Sequence, residues 1–166
     1  MVHGYSLKAV RGHAHPSTTV IIPFIKKETI ENMEKDFDTW NGKKKLTHND
    51  ETPRLFQERE VWWCSLGVNV GYEEDGKHEQ FERPVLILKK FSKHVAWAIP
   101  LTSQAHEDVF HYRLKNQKSF LVLSQLRLIS SKRLLARIEK ISDTEHKEIF
   151  EILKSFMTME KISTKK

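Results

Sequence analysis

The sequence between residues 60 and 141 is divided into short runs of aliphatic, aromatic and β-branched residues, each bounded by polar or glycine-bearing segments. The runs are 60–66, 85–88, 95–101, 109–114, 119–123, 126–129 and 135–141. Runs of this length and composition are typical of β-strands, and the polar residues 115–118 are expected to form the turn of a hairpin. Many short strands in close succession favour a small antiparallel β-barrel.

A helix is predicted after the last strand. Ser142 and Glu145 have the spacing of a capping box, in which each side chain bonds the backbone of the other residue. One apolar face then follows at helical spacing. It consists of Ile149, Ile152, Leu153 and Phe156. The strands and this helix together predict the α+β class.

A second amphipathic helix is predicted before the strands, over residues 27–41, with Gly42 as its end. Its apolar stripe is Ile30, Met33, Phe37 and Trp40. We expect this stripe to dock on the barrel of the same subunit, because four such side chains are too apolar to remain in water. The lysine run 43–45 that follows is interpreted as part of a solvated linker, in preference to a phosphate contact.

These patterns divide the chain into four parts. Residues 1–26 have no clean period and are expected to be a poorly ordered leader. Residues 27–57 hold the N-terminal helix and a linker, residues 58–157 form the barrel domain, and residues 158–166 are a polar tail.

Composition narrows the possible functions. Lysine and arginine outnumber acidic residues by 28 to 22, a net charge of +6 that favours a polyanionic partner. The single cysteine, Cys64, excludes an internal disulfide and suits a reducing cytoplasm. It lies in the apolar run 61–64, where a buried structural thiol is expected, and the adjacent Trp62 and Trp63 are expected to face opposite sides of the strand. No run approaches the length of a membrane span, and no signal-peptide pattern occurs, so a cytoplasmic protein is expected. Zinc-ligand spacings, nucleotide-binding glycine loops and nucleophile elbows are missing, so neither a metal nor a cofactor is predicted.

Three segments in order resemble the MazF/PemK toxins of type II toxin–antitoxin systems. Residues 60–67 lead into a loop with Gly71 and Glu73, and an Arg-Pro pair then opens the apolar strand 82–88. The strand 98–103 ends in Thr-Ser, and residues 123–134 resemble the third signature. The resemblance covers residues 58–157 and implies an SH3-like barrel with a C-terminal helix.

The resemblance also implies an activity. Members of this family cut single-stranded RNA, chiefly mRNA, at short sequences, with the ribose 2′-OH as nucleophile and no metal. The product is a 2′,3′-cyclic phosphate. A cognate antitoxin covers the groove, and operator DNA would be bound only in complex with that antitoxin. The family works as a homodimer, which the apolar density of the strands here also suggests.

Two catalytic residues follow from the resemblance. Arg83, held before a proline-led strand, would stabilise the charge that develops on the phosphorane oxygens. Thr102 would hydrogen-bond the scissile phosphate or the 2′-OH, and Ser103 could take its place.

Other residues are candidates for substrate binding. Gln125 and Arg127 match the third signature and are predicted to lie on one face of a strand, where they could contact a base edge and a phosphate. Ser124 stands where many relatives have an acid, which puts an acid–base role there in doubt. Lys77 and His78 lie in the glycine-bearing loop, where a histidine could exchange protons near neutral pH.

Two other functions are compatible with such a barrel. The first is a non-catalytic SH3-like module that binds nucleic acid. The second is a gyrase-directed toxin of the same fold, which would require an exposed apolar end on the C-terminal helix. Residues 157–162 give that idea little support, and the pair of Arg83 and Thr102 favours catalysis.

Overall fold

The computed structural model describes residues 35–105, 108–115 and 118–158. Its helices are α1 (Phe37–Asn49) and α2 (Asp143–Met157), with 3₁₀ turns at Leu123–Gln125 and Ser131–Arg133. Its strands are β1 (Glu60–Ser65), β2 (Glu82–Lys90), β3 (Val95–Thr102), β4 (His111–Arg113), β5 (Phe120–Val122), β6 (Arg127–Ser130) and β7 (Leu134–Lys140). Within these described ranges, neither helix combines the length and the apolar character needed to cross a membrane.

The strands form one antiparallel sheet in the order β4-β5-β3-β2-β1-β7, and β6 pairs with β3 off this path. The antiparallel pairing of β4 with β5 confirms the predicted hairpin, and residues 116 and 117 of its predicted turn lie outside the described residues. Strands β6 and β7 are connected along the chain by the turn Ser131–Arg133, but β6 pairs with β3 and β7 pairs with β1. The predicted α+β class is therefore confirmed, with a sheet that is open rather than closed into a complete barrel.

The core lies on both faces of the central strands. Leu86 packs in a cluster with Ile99 and with Ile149 of α2, whereas the next residue, Ile87, packs in a second cluster with Phe56 and Leu134. Side chains alternate between the faces of a strand. Residues 85–88 are continuously apolar because each face of β2 has its own buried cluster.

Two local predictions on β1 hold. Cys64 is fully buried, and burial raises the pKa of its thiol to about 12, so it is a structural thiol as expected. Trp62 is buried while its neighbour Trp63 is 42% exposed, which places the two indoles on opposite faces of the strand.

The capping interaction that begins α2 is also present, because the Ser142 hydroxyl accepts a hydrogen bond from the Glu145 backbone N–H at 3.1 Å. Glu145 is itself buried, and its carboxylate accepts from the Lys115 N–H at 2.7 Å. The Glu145 side chain therefore bonds the backbone of Lys115 instead of completing the capping box with the backbone of Ser142.

Helix α1 differs from its prediction. It begins at Phe37, after Asp36 accepts from the Thr39 N–H at 2.9 Å, and it continues past Gly42 to Asn49. The predicted end at Gly42 is wrong, because glycine in a helix interior costs only about 1 kcal/mol relative to alanine and does not break the helix. Part of the predicted linker is consequently helical. Ile30 and Met33 lie outside the described residues.

Docking of α1 on the sheet depends on Trp40. This indole is 3% exposed and lies 5.7 Å from the Phe81 ring, centroid to centroid. Gly67 has a φ of +92° and faces the indole so closely that an added Cβ would lie 2.1 Å from it. The predicted docking within the subunit is confirmed for Trp40, whereas Phe37 of the same stripe is 47% exposed.

Candidate functional site

Arg83 lies at the start of β2, directly before Pro84, and its side chain is buried with fixed partners. Its Nη2 pairs with the Glu74 carboxylate at 2.6 Å. Its Nη1 donates to the Leu101 carbonyl at 3.0 Å, and its Nε donates to the Asp75 carbonyl. Burial lowers the pKa of Arg83, and the negative charges of Glu74 and Asp75 oppose this shift. The guanidinium is therefore a positioned cation, since arginine remains protonated in proteins.

The loop between β1 and β2 connects Arg83 to the third signature. The Glu74 N–H donates to Gln125 Oε1 at 3.3 Å, and Gln125 Nε2 donates to the Tyr72 carbonyl at 3.3 Å. Arg127 Nη2 donates to the same Gln125 oxygen at 3.2 Å. Loop residues 72–75 thus lie over a cluster of Arg83, Gln125 and Arg127.

Asn69 braces this loop from within. Its backbone N–H donates to the Asp75 carboxylate at 2.6 Å, and its side-chain amide donates to the Glu74 carbonyl at 2.8 Å. Gly76 closes the loop with a 2.7 Å hydrogen bond from its N–H to the Gly67 carbonyl. Glu74 is consequently held against Arg83 by the loop backbone as well as by charge.

Thr102 is the last residue of β3 and directly follows Leu101, whose carbonyl accepts from Arg83 Nη1 at 3.0 Å. Thr102 is buried, and its hydroxyl accepts from the Gln104 N–H at 3.3 Å. Ser103 is exposed just beyond it.

The strand predicted for Gln125 is wrong, although its contact with Arg127 is present. Gln125 lies in the 3₁₀ turn Leu123–Gln125, and Arg127 begins β6. Leu126 is half-buried against the core while Leu128 is 60% exposed, so these two leucines do not share a buried face. The 3₁₀ turn before β6 interrupts the alternation of side chains along a strand, on which the predicted faces depended. Next to it lies a depression of about 330 Å³, lined by Glu73, Ser124, Gln125, Leu126 and Arg127.

Lys77 and His78 lie on an exposed turn of the same loop. Lys77 pairs with Glu82 through its backbone, and the His78 carbonyl accepts from the Phe81 N–H at 3.0 Å. His78 has a φ of +59°, so the turn is tight. Among the described residues, Glu74 connects Arg83 with Gln125 and Arg127, and Thr102 follows the Leu101 carbonyl that Arg83 binds. Lys77 and His78 form no hydrogen bond or ion pair to these side chains within the same described ranges.

Sequence reasoning missed Glu74 as the partner of Arg83. The available signal was the acidic run 73–75. Its three carboxylates are adjacent in the sequence, and no strand pattern distinguishes one of them from the others. Only the loop geometry selects Glu74. No group of three or more potential metal-ligating side chains occurs within the ranges that the structure describes.

Comparison with protein-family models relates these elements to known proteins. A model described as a PemK-like, MazF-like toxin of type II toxin–antitoxin systems matches residues 57–157. The matched residues include every strand of the sheet, α2, and the cluster around Arg83, whereas α1 precedes them. A search of curated proteins finds no match.

Proposed function

The chain belongs to the PemK-like, MazF-like family of type II toxins, and from this membership we propose that it is an endoribonuclease that cleaves single-stranded RNA. In the cell the substrate would be mRNA in the cytoplasm. The observation that carries the proposal is Arg83, a buried cation held by the Glu74 carboxylate and by two carbonyls, one of them from Leu101 directly before Thr102. The Glu74 N–H connects this site to Gln125.

The proposed reaction is an in-line attack of the ribose 2′-oxygen on the adjacent phosphorus. The bond from phosphorus to the 5′-oxygen breaks, the 2′-OH proton leaves, and the 5′-oxygen gains a proton. The products are a 2′,3′-cyclic phosphate and a 5′-OH end. Negative charge grows on the phosphorane oxygens, and a preorganised guanidinium stabilises it without giving up its own proton. Arg83 takes that role, and the Thr102 hydroxyl donates to the phosphate or orients the 2′-OH.

The Glu74 carboxylate lies where a phosphate oxygen would pair with Arg83. Both are anions that bind a guanidinium through oxygen. In the proposed cycle the RNA phosphate displaces Glu74, whose side chain is one-quarter exposed and can turn into solvent. The loop would thereby open the depression beside Gln125 to the substrate.

Recognition of the substrate is assigned to the surrounding polar side chains. Gln125 and Arg127 would read a base edge and hold a phosphate, and the exposed Ser103 would support Thr102. Lys77 and His78 would contact the RNA strand from the exposed turn of the loop between β1 and β2. Ser124 offers no carboxylate, so we assign it no proton transfer.

The family also implies an antitoxin partner, and we propose that this partner covers the RNA groove. Operator DNA would be bound only by the toxin–antitoxin complex. Since residues 85–88 are buried within one subunit, their apolar density does not itself require a dimer.

We nevertheless propose a homodimer, because exposed apolar side chains remain on the adjacent strands β1 and β7 and on β6. They are Trp63, Leu128, Leu135 and Ile138. A twofold pair is the commonest way to cover such a surface. Sedimentation velocity at micromolar concentration should show one species of twice the chain mass, and a monomer there would contradict the proposal.

The activity itself is tested with purified protein and a long unstructured RNA in excess EDTA. We expect cleavage to continue and the upstream fragments to end in a 2′,3′-cyclic phosphate, because Arg83 supplies the positive charge. DNA of the same sequence should survive, since it has no 2′-OH. Loss of cleavage in EDTA with recovery on addition of a divalent cation would refute the metal-free mechanism. Binding of RNA without any cleavage would instead indicate a non-catalytic module.

A further inference from the structure

Helix α1 and the turn before β7 enclose a groove of about 560 Å³ that the assigned function does not use. This basic groove is lined by Trp40, Lys44, Lys45, His48, Lys132 and Arg133, among others. We propose that it binds the phosphate backbone of the RNA substrate beyond the cleavage site. The inference rests on the proposed function, because it extends the same substrate onto a helix outside the family match.

The basic groove carries a surplus of positive charge. Four lysine or arginine side chains line the groove, and no carboxylate does. Lys44 and Lys45 are exposed on α1 and form no ion pair within the part of the chain that the structure describes. Lys132 is held at the rim by Glu51 at 3.0 Å and by the His48 carbonyl at 2.6 Å. The surplus positive charge suits a polyanion.

One cation in the basic groove, Arg133, is held in position by the fold. Arg133 Nη1 donates to the Ser65 carbonyl at 2.9 Å and to the Leu66 carbonyl at 3.2 Å. Its guanidinium also lies 5.4 Å from the centroid of the Trp40 ring. None of these partners is a carboxylate, so the charge of Arg133 remains available to a phosphate.

The basic groove is connected to the Arg83 cluster through β1. Arg133 contacts Ser65 at the end of β1, and the preceding residue, Cys64, is the ladder partner of Arg83. Burial raises the pKa of Cys64, and the charges of Arg133 and Arg127 both oppose that rise, so both guanidiniums lie within electrostatic range of this residue. The basic groove and the Arg83 cluster therefore lie at the same end of the sheet.

Helix α1 is also tied to the loop that covers Arg83. Lys43 Nζ donates to the Gln80 carbonyl and to Gln80 Oε1 at 3.1 Å, and it lies 3.9 Å from the Glu82 carboxylate. A strand of RNA that crosses Arg83 can consequently continue onto the face of α1 that carries Lys44 and Lys45.

The floor of the basic groove favours RNA backbone over a protein segment. Trp40 is 3% exposed, so it offers no face on which a base or an apolar side chain could stack. Protein partners usually gain their affinity from apolar or aromatic anchors in a pocket. A groove with cationic walls and a covered aromatic floor instead suits contacts to phosphate, which are independent of sequence.

The test compares three double variants of the full chain. Lys44→Glu with Lys45→Glu reverses the groove charge, and Lys44→Gln with Lys45→Gln only removes it. The matched control is Lys93→Glu with Lys147→Glu. Lys93 follows the far end of β2 from Arg83, and Lys147 lies on α2. Each protein binds 2′-O-methyl RNA, which cannot be cleaved, in a short form and in an extended form. Urea unfolding verifies that each variant is folded.

We expect the glutamate pair to weaken binding of the extended RNA on the order of tenfold and to leave the short RNA unchanged. The glutamine pair should show a smaller loss, and the slope of log affinity against log salt should fall by about 1.4 for two lost contacts to a single strand. The control should behave as the parent protein.

Equal losses for the short and extended RNA, or an equal loss in the control, would overturn the proposal. So would binding of polyglutamate, but not of extended RNA, through Lys44 and Lys45, because the groove would then serve an acidic protein segment. Failure of the proposed function is a separate result, since it is seen as absence of cleavage while binding to uncleavable RNA is still measured.

Discussion

Replacing Arg83 by alanine is expected to lower kcat for RNA cleavage about 10²–10³-fold. The side chain is a buried cation, and it is held by the carbonyls of Leu101 and Asp75 and by Glu74. Its loss removes stabilisation that a solvent cation cannot restore at the same place. Single-turnover cleavage of a long RNA at saturating enzyme measures the effect without a contribution from binding.

The same substitution should also lower the free energy of unfolding by a few kcal/mol, because Glu74 loses its partner and two carbonyls lose a donor. Urea unfolding therefore accompanies the kinetics, and rates are compared where both proteins are folded. Arg83→Lys keeps the charge but loses the fork that reaches three partners, so we expect most of the rate to be lost there as well.

Glu74→Gln is the matched control, since it breaks the same ion pair from the other side. If Glu74 competes with the RNA phosphate for Arg83, the neutral glutamine amide should bind Arg83 more weakly than the carboxylate does. The variant should then have a lower KM for RNA than the parent protein. A folded Arg83→Ala protein with near-normal kcat would place the reaction elsewhere. A large fall in kcat in Glu74→Gln would assign the carboxylate to the chemistry rather than to competition.

Replacing Trp40 by alanine is expected to lower the free energy of unfolding by about 3–5 kcal/mol. The indole is 3% exposed, packs on Phe81 and fills the space that Gly67 leaves open. Its removal leaves a cavity between α1 and the sheet. Gly67, at a φ of +92°, lies beside this cavity and has no side chain to fill it. Chemical unfolding followed by far-ultraviolet circular dichroism measures the loss.

Phe37→Ala is the matched control on the same helix. Phe37 belonged to the predicted stripe, but it is 47% exposed, and we expect its replacement to change stability by no more than about 0.5 kcal/mol. Folded Trp40→Ala protein should cleave short RNA at the parent rate, because the residues against which the indole packs, Phe81, Gly67 and Arg133, are not members of the Arg83 cluster. Equal losses from the two substitutions would mean that α1 does not dock through Trp40.

Local patterns in the sequence were sufficient for the elements whose signals are local. The length and composition of the apolar runs located the strands, and Ser142 with Glu145 marked the start of α2, since a cap involves neighbours along the chain. The Arg-Pro and Thr-Ser signatures also identified the family, which the match over residues 57–157 supports. Opposite faces for Trp62 and Trp63 followed from strand geometry alone.

Long-range contacts decided the rest. Gly42 does not end α1, because one helix-weakening residue is outweighed by the docking of Trp40 two positions earlier. Which acid of the run 73–75 meets Arg83 depends on the fold of the loop around Asn69, and Gln125 meets Arg127 across a 3₁₀ turn rather than along a strand. From the sequence, the lysine run 43–45 is interpreted as part of a solvated linker. In the folded chain, two of its members line the same groove as Arg133, which is distant in sequence. Sequence spacing records neighbours along the chain, and a groove or an ion pair is formed by neighbours in space, so only the folded chain brings these charges together.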